Sequence, residues 1–390
     1  MPKVPAFTLS FVKNTAEITP LNWLECAGSD NPFLSYEFFM ALENSNCLSE
    51  ENGWLTCHGI VKNQREETVG ILPGFIKQHS MGEYIFDQNW AQAYEAAGGH
   101  YYPKYLSAIP FTPVSTKKLL VSKNLKPKEA NLVLKQLINA PRTLVNRLGL
   151  SSFHGNFLQE NEAKIFEDNG YLIRNDAQYH WHNNGYKSFE EFLDSLTSRK
   201  RKTIKRERHV ALSGGDEPLT IDIVTGSKIS EIHWDHFYQF YISTSINKWG
   251  RPYLNREFFS IIGETMAEKI VLIFAKRNEN IIAGALNFLG KDTLYGRNWG
   301  SSEHHPLLHF EVCYYQAIDF AIKHGLKTVE AGAQGEHKIA RGYVPAKTYS
   351  AHYFNSPVFH EAVGKYLKDE KHAIEHYIKN AATHAPFKKK

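Results

Sequence analysis

The sequence predicts a two-lobed α/β protein of the α+β kind, each lobe a mixed, mostly antiparallel sheet flanked by helices. Three observations lead there. A chain of 390 residues exceeds one ordinary core, since a domain takes roughly 150 residues. Runs of β-branched and aromatic residues come in two meanders, each followed by a helical pattern and another strand. The meanders also echo each other: Phe86-Asp87-Gln88-Asn89-Trp90 and Tyr295-Gly296-Arg297-Asn298-Trp299 both place Asn-Trp at the close of a third strand, which reads as an internal duplication.

Taken in order, Ser35 is placed to cap a helix over 35–44, where Phe38, Phe39 and Leu42 recur at helical spacing. Strands are expected at 54–62, 67–78 and 83–87, an antiparallel meander separated by polar turns. Pro103, Pro110 and Pro113 then mark an insertion. Helices follow at 127–138 and 160–169, around a strand at 151–158. In the second half strands 269–277 and 280–289 join through Asn278-Glu279-Asn280, and a third covers 293–299. A helix over 307–324 carries apolar residues round most of its circumference, as a buried helix does, and Gly325 can stop it. Strand 327–333 comes next.

Between the copies, Ser188 with Glu191 three positions on forms the pattern of a capping box, opening one long polar helix over 188–211. The lobes therefore divide as 1–175 and 176–390, the second including that basic helix and a carboxyl-terminal helix over 361–378. Lys388, Lys389 and Lys390 end the chain as a basic tail.

A hydrophobic fraction of 42% with 22% charged residues suits a folded chain, and a net charge of +4 by itself selects no partner. Four cysteines without a C-x-x-C pair are not a disulfide framework. No leader-like apolar stretch opens the sequence and no window could span a bilayer. A cytoplasmic protein with reduced thiols, and at most peripheral membrane contact, is expected.

Three strands, a turn, a buried helix and another strand, in that order, resemble the central unit of the GNAT fold, and the duplication resembles Fem-type peptidyltransferases. The strings Tyr179-His180-Trp181-His182-Asn183, the Arg/Lys helix at 199–208, Lys248-Trp249-Gly250-Arg251-Pro252-Tyr253-Leu254 and Gly332-Ala333-Gln334-Gly335-Glu336-His337-Lys338 are similar to FemAB-like peptidoglycan biosynthesis/recognition proteins. The likeness runs from about Asn31 to Phe354 and implies tandem GNAT-like domains. At 188–211 only a short polar helix stands where some Fem enzymes carry a longer helical arm.

GNAT enzymes bind the pyrophosphate of acyl-CoA on a loop between strand and helix, and Arg297, Asn298, Trp299, Gly300, Ser301 and Ser302 stand at that place. Acyl-CoA as donor substrate is thus one expectation and a plain connection is the other. Glu330, on the strand beside it, is the candidate base, with Glu336 and His337 just beyond. A structural ion pair would account for Glu330 equally well. Lys338, Arg341 and Tyr343 follow on the turn from Gly335 to Gly342, where the two cations could clamp a phosphate or carboxylate or the turn could simply be solvated. Tyr241, Thr244, Lys248 and Trp249 could line an acceptor pocket or simply fill a core.

Arg199, Lys200, Arg201, Lys202, Lys205, Arg206 and Arg208 put seven cations into ten positions. The commoner reading of such a run is a solvated face; the functional one is a grip on a phosphorylated cell-wall precursor, an RNA backbone or an anionic membrane face. His305 and His309 are four apart, but a metal site needs a third ligand, so no metal is expected. The leading function is transfer of an acyl or aminoacyl group, from acyl-CoA or aminoacyl-tRNA, to an amine on a small molecule or cell-wall precursor. The rival is a non-catalytic recognition module that holds a phosphorylated precursor on the basic helix. Donor, acceptor and oligomeric state are not legible.

Overall fold

The computed structural model describes residues 7–213, 217–332 and 335–388, and of residues 247–249 the backbone alone. In chain order the strands of the first half are β1 (Phe7–Val12), β2 (Trp54–Thr56), β3 (His58–Asn63), β4 (Thr68–Leu72), β5 (Phe75–Lys77), β6 (Lys104–Ser107), β7 (Leu120–Val121), β8 (Ser152–Leu158) and β9 (Leu172–His182). Those that follow are β10 (Leu219–Thr225), β11 (Ile270–Arg277), β12 (Asn280–Leu289), β13 (Thr293–Ser301), β14 (Thr328–Glu330) and β15 (Val344–Phe354). Two compact units result: Met1–Asp176 with Lys347–His376, and Ala177–Ala346 with Tyr377–Lys390. The chain passes from the first to the second within β9 and returns within β15. Most of the last helix, Pro357–Thr383, therefore folds with the amino-terminal half, although sequence order had put it in the second lobe.

In the first unit β3 pairs antiparallel with β4, β2 with β5 and β5 with β6. The helix Pro127–Leu148 then crosses over, β8 runs parallel to β6, and β15 pairs antiparallel with β8. Val133, Leu137 and Leu144 of that helix pack with Val61, Leu72, Tyr105 and Phe153. The approach is close: a Cβ added at Gly70 would sit 2.4 Å from Val133 Cγ1.

The predicted helix over 127–138 runs on through Pro141 to Leu148. Proline removes one helical hydrogen bond, but burial of Leu144 and Val145 beyond it holds the last turns in place. The predicted strand 83–87 is irregular chain, and Asn89-Trp90 lies on the helix Gln88–Ala96. The third strand of this meander is β6, inside the supposed insertion. Duplication is real in the topology, while the Asn-Trp echo that suggested it joins a helix to a strand. Strand β1 and the helix Pro20–Ala27 carried no strong periodic signal and were missed.

The second unit repeats the order. β10, β11, β12 and β13 form an antiparallel run, and β14 lies parallel to β13 and antiparallel to β9. The predicted helix over 307–324 appears as Leu308–Phe310, a wider π turn Glu311–Tyr315 and the helix Gln316–Lys323, with Gly325 at φ 66° beyond it. Val312, Tyr315, Ile318 and Ile322 bury against Leu294, Val329 and Trp181. Strand 327–333 shortens to Thr328–Glu330; Ala333 and Gln334 lie outside the described residues.

The polar helix expected over 188–211 breaks into Phe189–Ser195 and Ser198–Ser213. Thr197 N–H donates to Pro386 C=O at 2.9 Å, and Leu196 is fully buried, so the carboxyl-terminal chain fills the gap. Ser188 caps the first piece by accepting from Glu191 N–H, but the Glu191 carboxylate turns to Lys187 N–H, so only half of the capping box forms.

Candidate functional site

Strands β13 and β14 pair in parallel over three residues, Thr293 with Thr328, Leu294 with Val329 and Tyr295 with Glu330. There β14 stops, while β13 continues to Ser301 along β12. Ser302 N–H donates to Ile282 C=O on β12 at 2.9 Å. Alternation along an antiparallel strand then turns the N–H groups of Trp299 and Ser301 away from β12, to the side that β14 has vacated. The splay leaves main-chain donors along an edge that a polar ligand can use.

Glu330 closes the paired stretch. Directly across from it stand Tyr295 on one side and His180 on the other, and residues in register share a face of the sheet. Its neighbour Val329 points the other way, into the core under the helix 308–323. The carboxylate Oε2 of Glu330 is shut off from solvent and has no hydrogen-bond partner among the described residues. Burial pushes this carboxyl up to about 8, against the pull of the Arg297 charge. His180 is driven down to about 4 by burial, with the charges of His182 and Lys338 adding to it, and so faces Glu330 as a neutral imidazole at pH 7. Half of this arrangement was legible as a strand carboxylate; His180 and Tyr295 become its neighbours only through strand pairing.

The segment predicted as a phosphate-binding loop is strand: Arg297 to Ser301 belong to β13, with a bulge opposite Leu286 and Asn287. Gly300 faces Gly284 across the ladder, and both lie under the helix Glu231–Trp249. A Cβ at Gly300 would sit 2.2 Å from Phe240 C=O, so here the missing side chain admits a helix backbone rather than a phosphate. Ser302 Oγ donates to Ile282 C=O at 3.1 Å, and Glu303 pairs with Arg277 at 2.5 Å. Asn298 and Trp299 extend the strand, and the Trp299 ring packs on His309 at 5.3 Å.

The other predicted site residues lie elsewhere in this unit. His337 Nε2 is 2.9 Å from Tyr314 Oη and its ring stacks near Phe310, with burial and two flanking cations holding it below its usual range. Glu336 accepts from Tyr377 Oη at 2.9 Å. No hydrogen bond among the described residues joins either to Glu330, so they form no acid–base pair with it. Arg341 is buried; it donates to both Glu207 oxygens at 2.9 Å and lies 3.4 Å over the Phe310 ring. Lys338 Nζ donates to Gly332 C=O at 3.1 Å, and Tyr343 is fully buried, its hydroxyl without a hydrogen-bond partner among the described residues.

Tyr241 Oη accepts from the N–H groups of Tyr253 and Leu254, both at 3.0 Å, fixing the loop after its helix. Thr244 follows on the same helix, half-buried; the side chains of Lys248 and Trp249 lie outside the described residues. In the basic helix Arg201 pairs with Asp194, Lys205 with Glu190 and Arg208 with the buried Glu311, whereas Arg199 is exposed and Lys200 half-exposed. The buried Glu311 and the partly buried Glu207 gave no sequence signal as partners, since only folding brings Arg208 and Arg341 to them. No group of three His, Cys, Asp or Glu side chains among the described residues could hold a metal ion.

A repeated meander, crossover helix and splayed parallel strand define a protein of tandem GNAT-like lobes. The chain belongs to the FemAB-like family, described as peptidoglycan biosynthesis/recognition, with the match running over residues 14–389. No curated protein matches it. Among solved structures it is similar to FemX, at 10% identity and TM-score 0.52, over 91% of this chain and 100% of that one. It is also similar to the C-terminal domain of a putative lysylphosphatidylglycerol synthetase from Agrobacterium fabrum, at 10% identity and TM-score 0.51, over 90% of this chain and 96% of that one. At such identity these likenesses are ones of fold. Among the described residues no helix is long and apolar enough to cross a membrane.

Proposed function

We propose that the second unit transfers an acyl or aminoacyl group from an activated thioester or ester to an amine, with Glu330 as general base. The observation that carries this reading is the buried, unpartnered Oε2 of Glu330 at the residue where β13 and β14 part. An unsatisfied buried carboxylate is costly to keep, and a pKa near 8 gives a strong base that becomes ionised, and so able to take a proton, at mildly alkaline pH.

In this reading the donor carbonyl lies along the open edge of β13, its oxygen toward the N–H groups of Trp299 and Ser301. The amine attacks the carbonyl carbon, Glu330 removes the ammonium proton, and the main-chain donors stabilise the negative oxygen of the tetrahedral intermediate. Collapse forms the amide and expels the thiolate or alkoxide, which leaves with a proton. Family membership favours a cell-wall precursor as the amine-bearing acceptor, and acyl-CoA or aminoacyl-tRNA as donor.

The test is thiol release from acyl-CoA, and deacylation of aminoacyl-tRNA, by purified protein offered muropeptide and simple amines. Amine-dependent release that collapses in Glu330→Gln is expected. Equal release by both proteins, or none from either donor, overturns the assignment.

A further inference from the structure

The cations of the helix Ser198–Ser213 divide into two stripes. Arg201, Lys205 and Arg208, at spacings of four and three, are committed to Asp194, Glu190 and Glu311. Together with buried Ile204 and Ala211, and with Glu207 held by Arg341, they fix the helix to its unit. Arg199, Lys202 and Arg206 recur at three and four on the opposite side; all three are exposed and none makes an ion pair among the described residues.

A second basic segment reaches the same place from the other end of the sequence. Lys388 N–H donates to Ser195 C=O at 3.0 Å, Phe387 bridges to Leu196, and Thr197 N–H reaches Pro386 C=O. Exposed Lys388 is thereby stapled beside the start of the basic helix, with Lys389 and Lys390 next in sequence. The acids in this neighbourhood are Glu190 and Asp194, neutralised by Lys205 and Arg201, and Glu191, which accepts from Lys187 N–H.

We propose that this surface, formed by Arg199, Lys202, Arg206 and Lys388 and flanked by half-exposed Lys200, docks the protein on an anionic phospholipid bilayer. Charge complementarity selects a polyanion, and two features select lipid. The helix carries no Phe, Tyr or Trp, the large rings on which unstacked bases lie, and its single imidazole is His209. Val210, one turn beyond Arg206, is exposed and can sit at the headgroup boundary alongside the aliphatic stems of the cations. This surface stands on its own observations, independent of the acyl-transfer reading.

The experiment is sedimentation of the full chain with vesicles of phosphatidylcholine, with and without phosphatidylglycerol. Binding is expected only to the anionic vesicles and declines with added salt. The variant R199Q/K202Q/R206Q should bind on the order of a hundredfold more weakly, from roughly one kcal/mol per surface cation, with its circular dichroism unchanged. R201Q/K205Q, which alters the stripe already paired, should stay within about threefold of the wild type. Equal binding by the outer-stripe variant, or equal binding to neutral vesicles, overturns the proposal. So does displacement from the vesicles by duplex RNA or inorganic phosphate at matched phosphate concentration and ionic strength.

Discussion

Each lobe sets a polar residue against a histidine on the strand that follows its crossover helix: His154 faces His352 in the first, and Glu330 faces His180 in the second. The surroundings differ. His154 Nδ1 and His352 Nδ1 are 2.7 Å apart, so one nitrogen donates and the other accepts. Ser152 lies 2.9 Å from His154, Ser350 lies 2.8 Å from His352, and Tyr101 Oη leads on to Asp87, which Lys104 holds at 2.5 Å. Burial, aided in both by the charges of Lys104 and Arg174, keeps both imidazoles well below their usual range and neutral. Among the described residues no such chain reaches Glu330 Oε2. In the first lobe the buried acids Glu83 and Asp87 are held by Lys104, each with one oxygen lacking a hydrogen bond among the described residues. In the second a buried carboxyl raised to about 8 stands where two strands part, and there chemistry is to be sought.

The sharpest way to break this comparison is Glu330→Gln. Loss of a general base should lower kcat by roughly 10² to 10⁴ while donor binding persists; a variant that turns over normally would return Glu330 to a structural role. In the wild type kcat/KM should climb as the pH rises through about 8. The same residue has a stability signature. Its folded pKa lies above the ordinary 4.5, so the folded chain holds the proton more tightly than the unfolded chain. The contribution of Glu330 to stability is therefore greatest below about 4.5 and falls as pH climbs to about 8. Thermal melts across that window should show the stability of the wild type falling relative to that of Glu330→Gln as the pH rises, a difference that removes the titration of the buried histidines common to both.

The matching change in the first lobe is Lys104→Met, which leaves Glu83 and Asp87 buried without their shared cation. Removing one member of such a pair costs about 3–5 kcal/mol, to be read by urea unfolding, with turnover per folded molecule unchanged. A fall in turnover instead would show that the first lobe shares in the chemistry.

A smaller effect separates packing from donor binding along β13. Gly300→Ala forces a methyl group against Phe240 C=O and should cost about 1–3 kcal/mol, measured by chemical unfolding; unchanged stability would mean that helix and strand have room to part. Smallest is Tyr241→Phe, which removes the acceptor for Tyr253 and Leu254 N–H. About 1 kcal/mol of stability should be lost. A larger loss in kcat/KM for the acceptor than in stability would restore Tyr241 to the acceptor pocket that the sequence suggested.

Particular residues show why some features were readable and others were not. The helix after Ser35 and the strands β11, β12 and β13 rest on local periodicity and capping, which the sequence displays directly. The supposed strand 83–87 had the same local look, yet Glu83 and Asp87 are drawn onto Lys104, seventeen or more residues away, and no strand forms. The Gly300 segment resembled a phosphate loop because small residues suit both a phosphate and a helix backbone; only Phe240, sixty residues earlier, decides between them.

Local pattern by itself determined the order of β11, β12, β13, the helix after them and β14 in the second lobe, the return of such a meander in both halves, the family, and Glu330 as a carboxylate on the strand beside β13. Those properties depend on neighbours within a few residues along the chain. Tertiary structure alone decided that Glu330 faces His180 and Tyr295 with an oxygen unpaired, and that β9 and β15 carry the chain from one compact unit to the other. It alone decided, too, that the basic helix pairs one stripe of cations with acids of its own unit, one of them buried, and leaves the other stripe exposed. Desolvation and pairing depend on what arrives from distant parts of the chain, and a residue's type does not say what will face it.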